Sequence, residues 1–304
     1  MNRRRLVHLA SIAALTVAVA ACGSDGSASN DTGSPDTIGT DPAGCPDWPN
    51  CDTLPAPEGY AHPTGPDDVV IEYSELSGFT TREYAFQQPP VVIVSGDGRV
   101  FTTGPQIEIY PGPALPNIQV GTITEEAVQQ LLSIADTAGL FADIDYTEES
   151  MVADASTATV TMNVDGATWV HSAYALGIDE PGKPVSPERA ALREFTAQLS
   201  DLASTVGADQ LGPVDAFVPE NYLIQATEAA TPVTTGEDGI VPTVVEWPTT
   251  TADVALADAA DCAVVAADAV GDLFTTADQL TYFDDGGVIY QVTAVQQLPQ
   301  RSCG

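Results

Sequence analysis

The chain has 304 residues, 44% of them hydrophobic, with nine Lys and Arg against 43 Asp and Glu and a formal net charge of −34. That apolar content supports a packed core, and the length leaves room for one large domain or two small ones. A surface this acidic repels phosphate backbones and anionic headgroups, which excludes nucleic-acid binding and electrostatic attachment to a membrane.

Arg3, Arg4 and Arg5 form a basic front, followed by an apolar run from Leu6 to Ala21 with small residues at its end. The run is too short and wrongly flanked for a spanning helix and reads as a secretion signal over 1–21. Val19-Ala20-Ala21-Cys22 resembles the lipobox of bacterial lipoproteins, which implies that the Cys22 sulfur carries a diacylglyceryl group and becomes the mature N-terminus. From Cys22 onward six bases face all 43 acids, so membrane contact is expected through the lipid anchor only.

Residues 22–66 read as a lipidated tether. Up to about residue 44 they are Gly, Ser, Asp, Asn, Thr and Pro, a composition that stays flexible and spans about 25 Å over some 22 residues. Cys45, Cys51, Cys262 and Cys303 then form an even set with three possible pairings, consistent with an oxidising compartment. Adjacent pairing is expected, Cys45 with Cys51 across a turn-rich loop and Cys262 with Cys303. No Cys-x-x-Cys pair or neighbouring histidine favours zinc instead.

An α+β domain is expected over 67–212. Residues 69–73 and 82–86 are short strand candidates. Residues 91–95 and 99–103 form a hairpin turned at Asp97-Gly98. The prolines of 104–117 forbid a helix, leaving 107–110 as an edge-strand candidate and Tyr110 and Leu115 as cover for a sheet edge.

The clearest helix is 124–138, with Thr124 as N-cap, Ile123 and Val128 as a hydrophobic staple, and Val128, Leu131, Leu132 and Ala135 as its apolar stripe. Residues 157–164 and 167–174 form a second hairpin. A two-residue Asp165-Gly166 turn sets Val164 against Ala167, Met162 against Trp169 and Val160 against His171, which places His171 on the packed side. Ser186-Pro187-Glu188 opens a further helix, its stripe running from Leu192 to Val206 and its stop at Gly207.

A smaller α+β unit is expected over 213–304: strands at 223–227 and 243–247 around a polar loop at 231–239, a long alanine-rich helix over 253–274, and a third hairpin of 280–283 with 288–295. The fold class is therefore α+β, with antiparallel sheets and Asp-Gly-turned hairpins packed against three main helices.

Strong catalytic motifs are absent. After the signal only His62 and His171 remain, and His171 is expected to be a packed residue with its ring nitrogens satisfied locally. Ser95-Gly96-Asp97-Gly98 could form an anion nest but is explained by a hairpin turn. The acids Asp143, Asp145, Glu148, Glu149 and Asp154 raise the question of calcium, yet the sixth position of that loop is Glu148 where a calcium loop needs glycine. No catalytic residue is assigned, and no cofactor or metal is expected.

In its lipobox cysteine, Gly/Ser/Asp tether and acidic, lysine-poor body, the chain resembles the secreted lipoproteins of high-GC Gram-positive bacteria. The resemblance implies a protein held at the extracytoplasmic face of the cell membrane, and binding or interaction with an envelope protein partner is the expected role. The alternatives are an envelope hydrolase working with carboxylates, and a lipoprotein that binds a cation or small ligand for a transporter or sensor.

Overall fold

The computed structural model describes residues 59–147, 152–179, 181–229, 239 and 241–303. The signal segment, Cys22, the tether up to residue 58 with Cys45 and Cys51, Glu148, Glu149 and the polar loop at 231–238 lie outside the described residues.

Two sheets organise the described chain. The first has seven strands, β1 (Val69–Leu76), β2 (Val92–Ser95), β3 (Arg99–Thr103), β4 (Ile118–Thr122), β5 (Thr157–Val164), β6 (Ala167–Tyr174) and β7 (Asp215–Ala216). Their order is β6-β5-β1-β2-β3-β4-β7 and every pairing is antiparallel. The second has five strands, β8 (Asn221–Glu228), β9 (Thr243–Glu246), β10 (Ala263–Ala266), β11 (Thr281–Asp285) and β12 (Val288–Gln296), in the order β10-β8-β12-β11-β9. Only β9 with β11 is parallel in that sheet. The class is thus mixed α+β with two antiparallel-dominated sheets.

The hairpins follow from turn chemistry. Val164 faces Ala167, Met162 faces Trp169 and Val160 faces His171, as the two-residue turn dictates. Asp165 and Gly166 both hold positive φ, the requirement of that turn. The third hairpin turns on Gly286 and Gly287 alone, since Asp285 already pairs with Val288.

One face of the first sheet packs under α2 (Glu125–Thr137) and α3 (Pro187–Ser200). Leu131 and Leu132 of α2 and Leu192, Phe195 and Leu199 of α3 join Val70, Val92, Val94, Val160 and Met162 in a buried core. The Thr124 hydroxyl accepts from the Ala127 N–H and the Ser186 hydroxyl from the Arg189 N–H, so both helices start where their caps lie. The opposite face is sealed more thinly by Val69, Ile93, Phe101, Ile118 and Leu298.

Four expectations need correction. Residues 82–86 are not a strand but a short helix, α1 (Arg82–Gln87), because Thr81 caps it and both edges of β1 are already taken by β2 and β5. Residues 107–110 form no edge strand. Pro105 ends the ladder after β3, and these side chains stand exposed. The second stripe is broken at Asp201, whose carboxylate restarts the chain as α4 (Leu202–Val206) by accepting from the Ser204 N–H.

The third main helix is the fourth correction. The alanine-rich stretch 253–274 breaks at Asp253 and Gly271, both with positive φ, and its centre enters the second sheet as β10. Alanine favours helix over other residues by only a few tenths of a kcal/mol per position. Burying Leu256, Val265, Val270 and Phe274 against Tyr222, Trp247 and Phe283 outweighs that preference.

Candidate binding groove

The first sheet ends in a groove where the start of β2, the end of β3, α1 and the last turn of α3 meet. Glu75, Tyr84, Gln87, Gln88, Val91 and Leu199 are among its lining residues, and its volume is about 530 Å³. Local sequence explains the shape. Pro89 and Pro90 hold Gln88 extended and stop α1, while Pro105 turns the chain away after Thr103.

Few polar groups in the groove are committed elsewhere. The Tyr73 hydroxyl donates to the Glu75 carboxylate, and burial followed by that carboxylate pushes the phenol above its ordinary range. Gln87 donates to the Ala114 carbonyl at 3.1 Å. The Gln88 side-chain oxygen is buried with no hydrogen-bond partner among the described residues.

The two segments that run out of the groove carry large apolar side chains in solvent. Phe79 is 87% exposed and Tyr84 54%, while Ile107, Ile109 and Tyr110 are 65%, 59% and 63% exposed. Tyr110 therefore does not cover a sheet edge as expected. Leu115, five residues on, does pack on the second core. The loop is pinned there by the Ala114 N–H on the Ala277 carbonyl and the Gly112 N–H on Gln279.

A second, smaller cleft shares Glu75, Gln88 and Pro89 with the groove and opens on the outer face of the first sheet. It encloses about 330 Å³ between Glu72, Ser74, Ile93, Pro299, Gln300 and Arg301. Burial holds the Glu72 carboxyl above the usual carboxylate range, with Arg301 pulling the other way. Burial likewise lowers the Arg301 guanidinium, and Glu72 opposes it.

The residues singled out from sequence lie elsewhere. Cys262 and Cys303 form a disulfide with Cα atoms 5.4 Å apart, closing the C-terminal tail onto the start of β10. His171 is buried. Its Nε2–H donates to the Leu140 carbonyl at 2.7 Å and its Nδ1 accepts from the Tyr146 hydroxyl at 3.2 Å, which makes it a neutral structural ring. His62 docks the chain before β1 onto α2, with Nε2 3.0 Å from the Glu125 carboxylate. Ser95 to Gly98 form the turn, with the Gly98 N–H on the Ser95 carbonyl at 3.0 Å. Among the described residues no group of three His, Cys, Asp or Glu side chains is placed to hold a metal ion, Asp143, Asp145 and Asp154 included.

Neither Glu72 nor Arg301 was signalled by a motif. The available clue is a glutamate inside the apolar run Val69-Val-Ile-Glu-Tyr73, where a solvated strand face would be expected to continue through Ser74.

Together the sheets and groove define an α+β module with an open, partly apolar recess. No protein-family model, curated protein or solved structure matches the chain.

Proposed function

We propose that this is a lipoprotein held by Cys22 at the extracytoplasmic face of the cell membrane, and that it works by binding an envelope protein through the groove at the end of the first sheet. The observation that carries the reading is the set of exposed large apolar side chains, Phe79, Tyr84, Ile107, Ile109 and Tyr110, on the two segments leaving the groove. Large apolar side chains left in solvent beside a recess suit a partner surface, and covering each such side chain is worth about 1.5–3 kcal/mol. The groove itself does not suit a hydrolase working with carboxylates, since Glu75 is the one acid among its lining residues and it is tied to Tyr73.

Photo-crosslinking from intact cells tests it. A crosslinker at Ile109 should capture a discrete protein, and the same group at Thr168, on the exposed face of β6, should not. Equal capture from both positions, or recovery of lipid alone, would count against the groove. The anchor is tested separately: Cys22→Ala should release the protein to the medium or leave it unprocessed, and unchanged membrane retention would remove the lipoprotein reading.

A further inference from the structure

Three charged side chains line the cleft: Glu75, which accepts from the Tyr73 hydroxyl, and Glu72 and Arg301, two opposite charges that do not meet. Glu72 lies on an inner strand, opposite Ile93 of β2 and Thr161 of β5. Neither cross-strand neighbour is a cation, and the half-buried carboxylate makes no hydrogen bond among the described residues. A carboxylate at such a position is costly unless something pairs with it.

Arg301 is equally unusual. Ion pairs among the described residues include His62 with Glu125, Arg82 with Asp261, Arg99 with Asp97 and Arg193 with Asp179. In a chain with 43 acids, the half-buried Arg301 has no carboxylate within 4.0 Å among the described residues. Its Nη2 donates instead to the Phe86 carbonyl at 2.7 Å and, at the limit of 3.5 Å, to the Gln88 carbonyl.

The backbone keeps the gap open. Arg301 is two residues from Cys303, which the disulfide fixes to Cys262, and three from Leu298, which is buried against the outer face of the first sheet. Glu72 is held by ladder pairing on both sides of β1. Two side chains long enough to form a bridge are thus anchored apart across a cleft of about 330 Å³. Ser74, Gln88 and Gln300 add polar lining, and Pro89, Pro90, Ile93 and Pro299 add apolar walls. The volume falls at the small end of ligand sites, and a preorganised pair of charges loses little freedom on binding.

We propose that this cleft binds a small zwitterion of the α-amino acid class, its ammonium on Glu72 and its carboxylate on Arg301. A guanidinium with free donors suits a carboxylate, and a carboxylate relieved of its burial by an ammonium suits the other end. The site adjoins the protein-binding groove and shares Glu75, Gln88 and Pro89 with it, but Glu72 and Arg301 are not among the groove's lining residues, and binding of the zwitterion is measured without the envelope partner.

Isothermal titration of the full chain with L-alanine and D-alanine tests the proposal, with ethylamine, propionate and their equimolar mixture as half-ligands. At least one alanine should bind saturably at millimolar concentration while the half-ligands and the mixture do not. Glu72→Gln, which keeps shape and removes charge, should weaken binding at least tenfold, and so should Arg301→Gln. The melting profile of Glu72→Gln checks that the fold is retained. Binding by neither alanine, half-ligands that bind as tightly as alanine, or a well-folded Glu72→Gln with unchanged affinity would each overturn the proposal.

Discussion

Replacing both Cys262 and Cys303 by serine removes the one covalent tie between the C-terminal tail and the second sheet in the described residues. The two cysteines are 41 positions apart. Closing a loop of that length removes about 4 kcal/mol of chain entropy from the unfolded state. Little else in the structure compensates. The tail beyond β12 is held by the Gln297 N–H on the Asn221 carbonyl, by Leu298 on the outer face of the first sheet, and by Arg301 on the end of α1. The double variant is preferable to a reductant, which is not selective for this bond. Urea unfolding followed by circular dichroism should show the midpoint falling by about 1–2 M for a slope near 3 kcal/mol/M. An unchanged midpoint at unchanged slope would show that the tail is held by packing alone, and would refute the entropic account.

Three further outcomes are expected. His171→Leu should cost about 2–4 kcal/mol in urea unfolding, because it leaves the Leu140 carbonyl and the Tyr146 hydroxyl buried without their partner. Burial lowers the pKa of His171 below its ordinary 6.5, against the Leu140 bond and the Asp143 charge. The unfolded chain therefore binds more protons than the folded one between that lowered value and 6.5, so this contribution to stability is present above 6.5 and lost on acidification through the window. Thermal melts across that range should show the loss in the wild type and a shallower slope in His171→Leu. Finally, Leu131→Ala should cost about 2–5 kcal/mol, since Leu131 is fully enclosed by the first core, whereas Ile109→Ser should change stability by no more than about 0.5 kcal/mol. A large loss for Ile109→Ser would mean that its side chain is packed rather than exposed.

The groove was only faintly legible beforehand. The proline-rich segment around Tyr110 stands out in the chain, but whether its side chains cover a sheet edge or face solvent depends on where β3 ends and what Ala114 and Leu115 touch. Tyr84 looked like a strand residue, and only the helical turn of α1 places it at the groove. Glu72 and Arg301 are 229 positions apart in the chain, and no local pattern announces that they share a cleft.

What the chain determines by itself is local. Thr124 and Ser186 start helices because a hydroxyl satisfies an otherwise orphaned N–H. Asp165-Gly166 sets an eight-residue register because Asp and Gly both tolerate the positive φ that this tight turn takes. The spacing of apolar residues then names Leu131, Leu132, Leu192 and Phe195 as core. Tertiary structure decided the cases where local preference is weak. The alanines around Cys262 favour helix by tenths of a kcal/mol each, and burial of Val265 and Phe274 in the second core is worth more, so the segment breaks and supplies β10. Residues 82–86 could have extended, but β1 had no free edge to receive them. The charge pair at Glu72 and Arg301 exists for the same reason: a strand and a tail far apart in the chain are brought together by the sheet, the disulfide and Leu298, and no nearest-neighbour rule reaches that far.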